Sequence, residues 1–166
     1  MFDNHQSFLK EVIEAIPYPF FVIDIKNYTI EIANSISKQL GFRGDMKCYQ
    51  LVHKTSQPCE APQHICPIKE IIKTKKPVVV EHVHYDSQNN PVNIEIHAFP
   101  IFDDKGNVVQ MIESCIDITS RKKLEQELVN KIKRLEKFNK SAVGRELRMI
   151  ELKKKIRELE QEIIKK

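Results

Sequence analysis

The chain has 166 residues, 41% hydrophobic and 30% charged, enough for one domain of roughly 100–120 residues plus an extension. Its longest apolar run, Ala15 to Ile23, is broken by Pro17 and Pro19 and falls well short of the roughly 20 residues of a spanning helix. No basic-then-apolar leader opens the sequence, so the expectation is a cytoplasmic protein with reduced cysteines and no membrane contact. The net charge of +4 divides into +8 for residues 120–166 and −4 for the remainder, an acidic globule on a basic tail. Glutamates interleave with the tail's lysines and arginines, which favours a solvated helix face over a nucleic-acid contact.

In chain order, apolar periodicity predicts a helix from Ser7 to Ile16, stopped by Pro17-Tyr-Pro19. Phe20–Ile25 and Tyr28–Ala33 read as two strands joined tightly at Lys26-Asn27. Asn34 can cap a short helix through Leu40, ended by Gly41, and a second short helix is expected from Asp45 to His53. A loop over 54–66, stiffened by Pro58 and Pro62, leads to a helix from Pro67 to Lys75 with proline at its first position. Three strands follow: Pro77–Tyr85, Val92–Phe102 and Val108–Ile116, separated by the polar turns 86–90 and 103–107. In the middle strand Ile94, Ile96 and Ala98 alternate with Asn93, Glu95 and His97. After Asp117-Ile-Thr119 the period becomes helical, with Thr119 expected to cap the helix and Asp117 to favour its positive end.

From Leu128 the tail reads in heptads. Leu128, Leu135, Ala142, Met149, Ile156 and Ile163 fall at a; Lys131, Phe138, Arg145, Leu152, Leu159 and Lys166 fall at d. Such a stripe predicts pairing, most simply as a parallel homodimer. The seam weakens around Ala142, Gly144 and Arg145, where a hinge or break is expected.

The chemistry concentrates between Cys48 and Cys66, in a Cys48-x4-His53-x5-Cys59-x6-Cys66 spacing that also holds His64. This is neither the paired C-x2-C of ribbon zinc sites nor the C-x2-C-H of attached haem. On an ideal helix Cys48 and His53 diverge by about 140°, so the helix must end between them if they share a ligand. Three readings stay open: a metal site, zinc or iron–sulfur, on Cys48, His53, Cys59 and Cys66 with His64 as substitute; a redox pair Cys59/Cys66; or cysteines packed as small apolar residues. Cys115, alone on a strand, reads as core. His82 and His84 share a strand face, with His97 on the neighbouring strand; an outward polar face is favoured over a second metal or haem constellation. GxSxG, a Gly-rich phosphate loop and His-Glu-x-x-His are absent, and only four glycines occur, so no enzyme is expected. A Cys48/His53 nucleophilic pair would lack an oxyanion-forming motif. No histidine follows residue 97, so the chain does not read as a complete histidine kinase.

The order of elements resembles the PAS sensor fold. The resemblance is carried by Ile16-Pro-Tyr-Pro-Phe20, Ile32-Ala-Asn34, Phe99-Pro-Ile-Phe-Asp103 with Gly106, and Asp117-Ile-Thr119. It implies an α+β fold: a PAS-like five-stranded antiparallel sheet with flanking short helices over 1–119, followed by a long coiled-coil helix over 120–166. A subset of PAS domains is similar across the Cys/His region, and residues 138–153 are similar to a tail found after PAS domains in bacterial signalling proteins. A pocket is implied between sheet and helices, expected to be lined by Phe21, Ile23, Ile30, Phe42, Ile71 and Ile112. The occupant is open between haem, flavin, a small organic acid and none. The expected function is a sensory, dimerising module that passes a ligand, metal or redox signal through Asp117 and Thr119 to a partner such as a histidine kinase or response regulator. The competing readings are a small metal- or thiol-dependent redox protein, and a transcription-regulating protein that uses its basic helix.

Overall fold

The computed structural model describes residues 2–60 and 64–164, so Pro62 and Lys166 lie outside the described residues. The chain divides into a globular unit through Ser120 and a helical unit from Arg121. The elements are α1 (Phe2–Glu14), β1 (Phe20–Asp24), β2 (Ile30–Ala33), α2 (Ser35–Gln39), α3 (Cys48–Val52), α4 (Pro67–Thr74), β3 (Val78–Tyr85), β4 (Pro91–Phe102), β5 (Val108–Asp117) and α5 (Thr119–Ile164). The strands form one antiparallel sheet in the order β2-β1-β5-β4-β3.

Most expected elements recur within a residue or two. The first helix begins earlier than Ser7, and the second short helix is trimmed to Cys48–Val52 because Asp45 takes a positive φ of 64°. The β1–β2 connection is longer than a two-residue hairpin. Asp24 Oδ1 accepts from the N–H groups of Lys26 and Asn27 (both 2.9 Å), and Tyr28 sits at φ 66°. The tail helix runs unbroken through Gly144, contrary to the expected break.

Register decides which side chains meet the helices. β5 lies between β1 and β4, with Phe21↔Glu113↔Ala98 and Ile23↔Met111 in line across the strands. Met111, Glu113 and Cys115 therefore face inward together with Ile94, Ile96 and Ala98, and α4 packs over β3, β4 and β5. Phe21, Ile23, Leu51, Ile68, Ile71 and Met111 are all less than 2% exposed and form the centre of the core.

This corrects the expected pocket lining. Phe21, Ile23, Ile30 and Ile71 are core, and Phe42 packs partly buried against them. Ile112 faces the other way: it pairs with Val22 and Phe99 on the outer face, in a row that ends at the exposed Ile32. The physical reason is the two-residue period of a strand, in which one step moves a side chain to the opposite face.

Asn34 ties the start of the sheet together. Its amide donates to the carbonyls of Ile16 (3.2 Å) and Tyr18 (2.8 Å), and its Oδ1 accepts from the N–H groups of Phe20 (3.2 Å) and Ser37 (3.1 Å). The proline-bearing segment and the α2 cap thus share one fully buried side chain. Replacing it strands several buried backbone groups, each costing about 1–3 kcal/mol. Asn34→Ala should lower unfolding free energy by about 2–4 kcal/mol in urea denaturation.

Glu113 is the one fully buried carboxyl described, with the Cys115 thiol donating to its Oε1 at 3.3 Å. Burial pushes it up from 4.5 to about 7. Between those values the folded state holds a proton that the unfolded chain releases, so stability falls as pH rises through this window. The displacement corresponds to about 3 kcal/mol. Glu113→Gln should flatten stability between pH 4.5 and 7 and make the variant the more stable form at pH 8, as read by thermal unfolding.

Candidate functional site

The end of α3, the loop to α4 and the inner face of β3 build one cluster. α3 stops where His53 becomes its C-cap (φ −107°, ψ −7°), so the imidazole leaves the helix axis and meets β3. Cys59 follows in the loop. Strand alternation presents His82 and His84, 4% and 6% exposed, to the same place. This overturns the outward polar face expected for the pair; only His97 lies outward, its Nε2 2.8 Å from Glu95 Oε1.

Four imidazoles pack around one point. Ring centroids lie 4.8 Å apart for His53–His64, 4.9 Å for His53–His84, 5.2 Å for His53–His82, 5.1 Å for His64–His82 and 5.8 Å for His82–His84. Donor atoms of His53, Cys59 and His82 all fall within 4.8 Å of one another. The Ile65 carbonyl accepts from His82 Nε2 at 2.9 Å. Burial, reinforced by the neighbouring rings, holds His53 down to about 4 and keeps His82 and His84 below the ordinary histidine value. These three rings are therefore neutral at pH 7, the form that binds metal.

The expected ligands Cys48, His53, Cys59 and Cys66 are only partly assembled. His53 and Cys59 join the group; Cys48 and Cys66 do not belong to it. Cys48 opens α3 and is half-buried, with desolvation and the neighbouring Glu113 and Cys66 pushing its thiol up. Cys66 is the N-cap of α4 and shares a hydrogen bond with Cys59. That bond and the N–H groups of Ile68 and Lys69 lower Cys66 to about 6, while Cys59, the donor, is raised. Cys115 is buried beside Glu113, as its core reading expected.

Two cavities flank the cluster. One of about 600 Å³ is bordered by His53, Pro58, Cys59, His64 and Tyr85. The other, of about 390 Å³, is bordered by Tyr18, Leu51, His84, Tyr85, Cys115 and Asp117. None of the six residues expected to line a pocket borders either.

The exit from the sheet is built differently from a simple threonine cap. Asp117 Oδ1 accepts the Thr119 N–H at 2.7 Å, so the aspartate caps the helix. The Thr119 hydroxyl oxygen instead accepts the Asn93 N–H at 2.9 Å, and Ile118 N–H donates to the Asn93 carbonyl at 2.9 Å. Asn93 pairs with Val83, which lies between His82 and His84 on β3.

Sequence reasoning missed His82 and His84 as cluster members. The three valines opening β3 hide the alternation, although Glu81, a charged neighbour of opposite phase, marks the outer face.

Residues 17–120 match the family model of the PAS domain. No curated protein matches the chain. Among solved structures, the fold is similar to an RNA-binding light-oxygen-voltage receptor, with 18% identity and a TM-score of 0.63 over 77% of this chain and 37% of that one. It is also similar to a Rhodobacter sphaeroides LOV protein (13% identity, TM-score 0.55, 69% of this chain and 67% of that one). A third is the PAS domain of the fruit-fly ELK potassium channel (17% identity, TM-score 0.51, 69% of this chain and 97% of that one). The chain thus spans little more than a third of the RNA-binding receptor's length. With the family match covering well over half of its residues, this chain belongs to the PAS domain family.

Proposed function

We propose that this PAS domain is a sensory module whose Cys/His cluster is the sensing element and whose output leaves through α5. The observation that carries the reading is the backbone path from β3 to the helix. Val83, between His82 and His84, stands opposite Asn93 on β4, and the Asn93 N–H donates to the Thr119 hydroxyl at the first residue of α5. A shift of β3 at the cluster therefore reaches the helix start through the β3–β4 pairing and the bonds of Asn93 to Ile118 and Thr119, with Asp117 fixing the cap. Thr119→Val keeps the shape and removes the acceptor.

The helix itself supports an interaction role over catalysis. Leu128, Leu135, Phe138, Met149, Leu152 and Ile156 are each more than half exposed in the single chain, a stripe that water would penalise. A second copy supplies the matching stripe, giving a parallel homodimer that passes the state of the cluster to a signalling partner such as a histidine kinase or response regulator. The heptad positions Leu159 and Ile163 fall among side chains that are not described, so the support rests on residues 128–156.

Sedimentation equilibrium should find the full chain dimeric at micromolar concentration and the Leu128→Lys/Leu135→Lys variant monomeric. A monomeric parent chain sinks the dimer. In a dimer carrying Thr119→Val, amide exchange at the start of α5 should no longer respond to occupancy of the cluster.

A further inference from the structure

Three buried imidazole nitrogens in the cluster have no hydrogen-bond partner among the described residues: Nδ1 of His64, Nδ1 of His82 and Nε2 of His84. Such groups are rare in folded proteins and cost about 1–3 kcal/mol each when left unmet. Two of them, on His82 and His84 of one strand, call for a shared occupant. His82 shows what kind. A carbonyl oxygen only accepts, so the 2.9 Å contact with Ile65 puts the proton on Nε2 and leaves Nδ1 as a bare lone pair. That is the tautomer of a metal-ligating histidine held by a backbone carbonyl behind it.

We infer that His53, Cys59 and His82 form a binding site for a zinc-class divalent cation, with His84 turning in as the fourth ligand. The donor set selects the metal. Magnesium and calcium take oxygen ligands, and this group offers none. An iron–sulfur cluster is held by several thiolates, whereas only Cys59 belongs to the group. Imidazole nitrogen with one thiolate suits zinc, cobalt(II) and nickel(II), and a tetrahedral sphere is what zinc adopts in closed sites. His84 is favoured over His64 as fourth ligand because it stands on the same strand as His82, whereas His64 belongs to the loop.

Geometry also gives the site a consequence. Metal–ligand bonds of about 2.0–2.3 Å put tetrahedral donors roughly 3.3–3.8 Å apart. The present separations reach 4.8 Å, so occupancy draws Cys59 towards the strand that carries His82. The Cys59 thiol loses its proton to solvent in the process and its hydrogen bond to Cys66 with it. The inference gives the sensing element proposed above its ligand, and it rests on that reading only for its signalling consequence.

Zinc alone is the probe. Full-length protein, stripped with chelator under reductant and titrated with zinc, should bind one equivalent. X-ray absorption at the zinc edge should count one sulfur and three nitrogen neighbours, a readout that requires no variant. His82→Ala should weaken zinc binding by roughly tenfold or more, Cys59→Ser should remove the thiolate-to-metal band of the cobalt(II) form, and Cys48→Ala and Cys66→Ala should keep one equivalent. Less than a tenth of an equivalent overturns the inference and leaves the three nitrogens to ordered water. Two or more sulfur neighbours, or binding lost in Cys48→Ala or Cys66→Ala and kept in His82→Ala, overturns this ligand set in favour of a thiolate-rich one. Dimerisation by sedimentation is independent of either outcome, so a failed metal site and a failed coiled coil are told apart.

Discussion

Everything in the globular unit depends on the register of β5 between β1 and β4. Pairing Phe21 with Glu113 and Glu113 with Ala98 sends Met111, Glu113 and Cys115 inward and Ile112 outward. The same ladder continues through β4 to β3, where Ile94 opposite His82 and Val92 opposite His84 turn the two histidines to the helix side. A slip of one residue would expose the core set and bury Glu95 and His97. The apolar set of β4 makes that slip expensive, so the position of the histidines is secured by residues that take no part in their chemistry.

The unit tolerates an unusual polar load in its interior because the polar groups are dealt with in different ways. Asn34 is satisfied by four backbone groups and works as a structural tie. Glu113 has a single thiol donor described and is held towards its neutral form by burial. His53, His82 and His84 are kept neutral as well, yet Nδ1 of His82 and Nε2 of His84 stay without partners among the described residues. Saturated polar networks rigidify a core, whereas unsaturated ones store a preference for something that would complete them. The first kind sits by β1 and α2, the second on β3.

Local motifs shared with the PAS family acquire physical meaning in these contacts. Ile16-Pro-Tyr-Pro-Phe20 and Ile32-Ala-Asn34 are distant in sequence and joined by the Asn34 amide. Asp117-Ile-Thr119 is a cap and a strand anchor at once: the aspartate serves the helix, and the threonine serves Asn93. Had Thr119 simply capped the helix, α5 would lack the hydroxyl bond that ties its first residue to β4.

The sequence by itself determined the elements and their order, because capping residues, turn residues and hydrophobic period are local properties. Asn34 before α2, Pro67 at the start of α4, the turns at 86–90 and 103–107 and the heptads after Thr119 each act within a few residues. It also marked the 48–66 segment as the chemical centre, through the density of cysteine and histidine. The tertiary structure alone decided who meets whom there. Cys48 and His53 part company because α3 is one turn long and ends at His53, while His82 and His84 join from thirty residues downstream because β3 pairs with β4 in one phase. Phase could not be read from Val78-Val-Val80, where both faces look alike; it was settled by the partner strand, whose alternation of Ile94, Ile96 and Ala98 leaves only one face to bury.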